Sequence, residues 1–185
     1  MLHALDAGAR EIVLMGWSMG GAIALQASTR SRIASVLTGV VLESPVVDWT
    51  ETLLHHGTGL RLPAPVARSV LALLSSRWGG LLTGQDEPLD LARLDFVARA
   101  GELRVPVLVL HGDDDDVAPP DGSRRLAAER PDLVRLVTFP DGRHTKLWNL
   151  DPVRWEGAIR AWLEERAARA DQAAGPSGSV NPQRA

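Results

Sequence analysis

Ile12-Val13-Leu14-Met15-Gly16-Trp17-Ser18-Met19-Gly20-Gly21-Ala22-Ile23-Ala24-Leu25 decides how this chain is read. Its first four residues are a short continuous apolar run, the pattern of a strand buried on both faces. From about residue 19 to 30 small and apolar residues read as a helix. Between the two, Gly16-x-Ser18-x-Gly20 forms a sharp strand-to-helix turn. A serine there is held in a strained backbone conformation with its oxygen directed out of the fold, and its neighbours must be small because the chain passes close by. Gly16 and Gly20 meet that demand. The same five residues also occur by chance as a surface turn with an idle serine. The strand before the turn and the helix after it favour a nucleophile.

Two further constellations follow. Val105-Pro106-Val107-Leu108-Val109-Leu110 is an apolar strand that runs into His111-Gly112-Asp113-Asp114-Asp115-Asp116-Val117-Ala118-Pro119. An acid at the carboxyl end of a strand is well placed to orient a histidine, because functional groups gather at that edge of open α/β sheets. After the apolar run Leu133–Val137 comes Phe139-Pro140-Asp141-Gly142-Arg143-His144-Thr145, a glycine-bearing loop with a histidine. The chemistry needs all three parts. A serine hydroxyl is a weak nucleophile near neutral pH and requires a base within hydrogen-bond reach. Imidazole titrates in the range where it can take that proton and return it. A carboxylate fixes the imidazole tautomer and stabilises its protonated form. The order serine, acid, histidine along the chain is the order found in α/β-hydrolases.

On these residues, namely Gly16-Trp17-Ser18-Met19-Gly20-Gly21, His111 through Pro119, and Gly142-Arg143-His144-Thr145, the chain resembles the carboxyl-terminal part of an α/β-hydrolase-fold serine hydrolase. It is similar to the branch that holds bacterial esterases and the prolyl-oligopeptidase-like and aminopeptidase-like peptidases. The resemblance runs from about residue 5 to 168. It implies an α/β fold of about four parallel strands with flanking helices. It also implies Ser18 as nucleophile, His144 as base, and a backbone amide at Met19 as one oxyanion donor. The family's spacing puts the acid four residues after His111, at Asp115, with Asp113 as runner-up; Ala118 stands where valine is usual. The implied reaction is hydrolysis of a small-molecule ester or peptide through an acyl-enzyme, with no cofactor and no metal.

The resemblance also exposes a departure. Family members carry several strands before the nucleophile turn, and a loop there supplies the second oxyanion donor. Only about ten residues precede the nucleophile strand here. The expectation is therefore a chain truncated at its start, with weaker activity than a longer form. A second reading makes it a catalytically impaired remnant that serves as an interaction module. An apolar nucleophile strand without its neighbour would be an exposed sheet edge, and such edges invite self-association.

Composition bounds the remaining possibilities. The 185 residues make about one domain, and 45% apolar content supports a core. A net charge of −3 with scattered arginines gives no reason to expect nucleic-acid or membrane binding. The absence of cysteine excludes disulfides and thiol-bound metal, which fits a cytoplasmic protein. No apolar run reaches the roughly 18 residues of a membrane span.

Residues 1–170 read as the hydrolase domain and 171–185, polar and rich in Pro, Gly and Ser, as a disordered tail. Within the domain, 46–100 reads as a helical insertion, either a cap over the site or simply packing helices. Val66, Val70, Leu73 and Leu74 fall there at helical spacing between prolines and glycines. A last helix opens at Asp151-Pro152, with Trp155, Ile159, Trp162 and Leu163 on one face. His111 is expected to bridge backbone groups. His55 and His56 are expected to carry no function, since neighbouring residues do not share a helix face. Trp17 and Trp148 either line an acyl pocket or pack at element ends.

Overall fold

The computed structural model describes residues 2–32 and 34–174. A short helix α1 (Leu2–Asp6) stops before Gly8, whose φ of +91° suits glycine. Strand β1 (Ile12–Trp17) leads through Ser18 into helix α2 (Met19–Arg30), and β2 (Leu37–Glu43) follows. Three helices occupy the next stretch: α3 (Trp49–Gly59), α4 (Ala64–Leu74) and α5 (Gly79–Thr83), with single 3-10 turns at Leu91–Leu94 and Ala100–Glu102. Then come β3 (Val107–Gly112), α6 (Asp121–Glu129), β4 (Val134–Phe139), α7 (Leu147–Leu150) and α8 (Pro152–Ala174). No described helix is long and apolar enough to cross a membrane.

The four strands form one parallel sheet in the order β1-β2-β3-β4. Strand alternation divides the core in two. Val40, Leu42, Val107 and Val109 point to one face and pack with Leu25 of α2, Leu126 of α6 and Phe96 and Leu103 from the segment before β3. Val41, Leu108 and Leu110 point to the other face and pack with Leu147 of α7 and Trp162 of α8. Both faces of β2 and β3 are covered, which is why these strands read as unbroken apolar runs. Each fully buried Leu or Val contributes about 1.5–3 kcal/mol of transfer free energy. The α/β class and four parallel strands expected from sequence are observed.

Two details, at the end of α8 and at Leu163, differ from the sequence reading. Helix α8 continues to Ala174, so residues 171–174 are helical and not part of a disordered tail; the stretch through Gln172 has high helix propensity. Residues 175–185 lie outside the described residues. The apolar stripe of α4 does not face a core: Val66, Val70 and Leu73 are exposed, and only Ala67 is buried, beside Gly57 of α3. On α8, Trp155, Ile159 and Trp162 pack as expected, whereas Leu163 faces outward toward β1. Asp151 accepts a hydrogen bond from the Arg154 amide at 2.9 Å, the cap expected at that helix start. β1 lies at the sheet edge, with Val13, Met15 and Trp17 exposed.

The parallel arrangement brings the carboxyl ends of all four strands to one edge. Trp17 lies opposite Glu43, Glu43 opposite Leu110, and Gly112 opposite Phe139. The loops leaving β3 and β4 are packed tightly together. The Asp114 amide bonds the Gly142 carbonyl at 3.1 Å, and a Cβ built on Gly112 would lie 2.0 Å from that same oxygen. No side-chain rotation relieves such a clash. Gly112→Ala is expected to destabilise the fold by about 1–3 kcal/mol or more. A urea-unfolding midpoint equal to that of the wild type would contradict this packing.

Candidate active site

Ser18 occupies the turn between β1 and α2 with φ 52° and ψ −126°. Its amide bonds the Glu43 carbonyl at 2.9 Å, and its own carbonyl accepts from Gly21 and Val46 at 3.0 and 3.3 Å. The close approach demanded by the turn falls at Gly16 and Gly21. A Cβ on Gly16 would lie 2.5 Å from the Gly20 carbonyl oxygen, and one on Gly21 would lie 2.8 Å from Pro45. A Cβ on Gly20 would meet open space, so the steric role expected of Gly20 belongs to Gly21, which faces the chain after β2.

The three side chains singled out from the sequence meet. His144 Nε2 lies 2.8 Å from Ser18 Oγ, and His144 Nδ1 lies 3.0 and 2.9 Å from the two carboxylate oxygens of Asp115. A carboxylate only accepts, so Nδ1 carries the hydrogen and Nε2 is the acceptor facing the hydroxyl. The other three acids of the run stand elsewhere. Asp113 is paired with Arg124 at 2.7 Å, and Asp114 and Asp116 are exposed. Met19 opens α2, and the first amides of a helix have no partner within it and carry its positive pole. The Met19 amide, next in the chain to Ser18, is one of these.

Asp115 has no solvent-exposed side-chain surface. Its Oδ1 accepts from the Val117 and Ala118 amides at 3.0 and 2.8 Å. Burial is the largest single influence and favours the neutral acid. It is outweighed by the hydrogen bonds from His111, the Ala118 amide, His144 and Ser44, which together hold the carboxyl well below its usual range. His111 is wholly buried. Its Nδ1 lies 2.8 Å from Ser123 Oγ, and its Nε2 donates to the Ala118 carbonyl at 2.8 Å with Asp115 Oδ2 3.4 Å away. The sequence reading expects a bridge between backbone groups; the ring instead joins one backbone carbonyl to the Ser123 hydroxyl.

Several participants were not singled out from the sequence. Ser44, at the end of β2, is fully buried and takes φ 45°. Its hydroxyl helps hold the Asp115 carboxyl low and accepts from the Thr145 amide at 3.3 Å, next to His144. Glu43 is also buried: Oε1 accepts from the Leu147 amide at 3.4 Å and Oε2 from the Trp155 indole at 3.0 Å. One dipeptide thus holds both flanks of the His144 loop. The signal available was a pair of polar residues ending an otherwise apolar strand. Trp17 and Trp148 are both half-exposed, and the Trp148 indole donates to Glu156 at 3.1 Å.

Backbone strain gathers here as well. Non-glycine residues with positive φ among the described residues are Ser18, Ser44, Asp141, Thr145 and Arg61. Four of those five flank the site. Each such residue costs on the order of 1–3 kcal/mol and persists where its surroundings over-determine it.

Comparison with known proteins agrees with this architecture. The model of the alpha/beta hydrolase family matches residues 1–158, and the chain belongs to that family. A stretch of 66 residues is 33% identical to a bifunctional esterase/perhydrolase of Acinetobacter calcoaceticus, covering 36% of this chain and 24% of that protein. Among solved structures, an alpha/beta hydrolase from the metagenome of Mar Chica lagoon sediments superposes with a TM-score of 0.59 at 16% identity, covering 90% of this chain and 67% of that one. A Pyrococcus furiosus esterase superposes with a TM-score of 0.60 at 14% identity, covering 90% and 59%. The chain thus corresponds to part of the length of these relatives.

The depressed pKa of Asp115 has a consequence for stability. A carboxyl whose folded value lies below its unfolded one stabilises the fold above the ordinary value of 3.8, and that stabilisation drains away as the pH falls toward the folded value. The stability difference between wild type and Asp115→Asn is expected to be largest near neutrality and to shrink progressively below about pH 4. Urea titrations across that range check it; a difference independent of pH would contradict it.

Proposed function

We propose that this chain is a serine hydrolase of carboxylic esters. In this reading Ser18 is the nucleophile, His144 the general base and then acid, Asp115 the residue that orients His144, and the Met19 amide an oxyanion donor. The observation that carries it is a single imidazole bonded through Nε2 to the Ser18 hydroxyl and through Nδ1 to the buried Asp115 carboxylate. Attack of Ser18 Oγ on the ester carbonyl would pass its proton to His144 Nε2. The negative charge on the carbonyl oxygen would develop beside the Met19 amide. Collapse would expel the alcohol, which takes the proton from His144 and leaves an acyl-serine. A water molecule, giving a proton to the same nitrogen, would attack the acyl carbon. The second collapse would release the acid and restore the hydroxyl.

The same three residues serve ester and amide bonds. The preference for esters rests on the sequence similarity to the Acinetobacter esterase/perhydrolase. Trp17 and Met19, exposed on either side of Ser18, offer apolar surface to an acyl chain.

Hydrolysis of p-nitrophenyl acetate tests the assignment. The wild type is expected to turn the ester over, with Ser18→Ala and His144→Ala lowering kcat by about 10⁴-fold or more, and Asp115→Asn by on the order of 10³–10⁴. No turnover by the wild type, or a Ser18→Ala variant that retains its rate, would overturn the reading.

A further inference from the structure

We infer that His55 and His56 are positioning residues for the loop that carries Asp115. The inference rests on the roles just proposed for Asp115 and His144. His55 Nε2 lies 3.0 Å from the Asp116 carbonyl, and His56 Nε2 lies 2.8 Å from the Val117 carbonyl. With His111 Nε2 on the Ala118 carbonyl at 2.8 Å, three histidines hold three successive peptide oxygens. His144 holds the carboxylate itself, so four of the five histidines of the chain converge on residues 115–118.

The chemistry of these contacts defines what they do. A carbonyl oxygen only accepts, so each Nε2 is a donor, and a further proton at Nδ1 leaves that donor in place. Asp115 Oδ1 already takes the amides of Val117 and Ala118. The inner side of the loop is therefore held by the carboxylate and its outer side by the two rings. The rings sit edge to face, their centroids 5.7 Å apart and their planes at 74°, which lets neighbouring residues of one helix reach two adjacent carbonyls.

The helix that supplies them is itself anchored. The Asp48 side chain caps α3 by accepting from the Glu51 amide at 3.1 Å, and the guanidinium of Arg125, on α6, forks onto both Glu51 oxygens. α6 begins at Asp121, just beyond the loop. Helix, loop and α6 thus form a closed unit around Asp115. A group reaching the acid loop from outside the sheet controls where the carboxylate sits, and displacement of such a group by about 1 Å costs on the order of 10²-fold in rate.

The test compares wild type, a His55→Ala/His56→Ala pair and a His55→Gln/His56→Gln pair. The glutamine amide offers an N–H donor near the place of imidazole Nε2. Two readouts apply: the downfield proton resonance of His144 Nδ1, which reports its bond to Asp115 whatever the turnover, and kcat and KM for p-nitrophenyl acetate. The alanine pair is expected to lose or broaden that resonance and to lower kcat about 10- to 100-fold with KM little changed. The glutamine pair is expected to restore both. If the alanine pair does not fold, the single alanine variants carry the same comparison. A resonance and kcat unchanged in the alanine variants, or an equal loss in the glutamine pair, would overturn the inference. Absence of the resonance from the wild type, or activity surviving in Ser18→Ala, would instead overturn the assignment of Asp115 and His144, and this inference with it.

Discussion

The carboxylate of Asp115 is the constraint around which the site is organised. Buried without solvent contact, it persists as an anion only because donors surround it. The groups that hold it come from three of the four strand ends: His111 from β3, 3.4 Å away, and two amides of the loop that follows, Ser44 from the end of β2, and His144 from the loop after β4. Satisfying one charge therefore sets the relative positions of three strand ends. The histidine that results from this arrangement presents its remaining nitrogen to Ser18 at 2.8 Å.

Backbone geometry reinforces the same convergence. The loops after β3 and β4 touch main chain to main chain at Gly112 and Gly142, leaving no room for a side chain between them. The turn at Ser18 closes on Gly16 and Gly21 in the same way. Positive φ at Ser18, Ser44, Asp141 and Thr145 is unfavourable for each residue alone. Hydrogen bonds at Ser18, Ser44 and Thr145, and the two-faced core beneath them, hold the strain in place. The end of β2 couples the parts directly, since the Glu43 carbonyl receives the Ser18 amide while the Glu43 and Ser44 side chains receive amides from the His144 loop.

What could be read from sequence was what is encoded locally. Apolar runs of strand length, a glycine-flanked serine between strand and helix, and an Asp-Pro helix start each carry their own signal, and the corresponding elements stand where that signal puts them. The proximity of His144 to Asp115 came from family spacing, because four consecutive acids look alike until Arg124 is seen to take Asp113. The parts that escaped depend on tertiary contacts. His55 and His56 are consecutive residues of one helix, and only the tertiary fold shows that their rings meet adjacent carbonyls of a loop distant in sequence. Ser44 and Glu43 look like the polar end of a strand until the His144 loop folds over them. Gly20 and Gly21 are equivalent in sequence, and only the position of Pro45 separates them. The stripe on α4 shows the converse: helical spacing identifies a helix without saying which of its faces is covered.

A crystal structure of the chain after reaction with a fluorophosphonate examines the arrangement most directly. The account predicts phosphorus bonded to Ser18 Oγ alone, its oxygen toward the Met19 amide, and His144 still bridging between the adduct and Asp115. Phosphorus on another side chain, or an unmodified Ser18 in a folded protein, would contradict it.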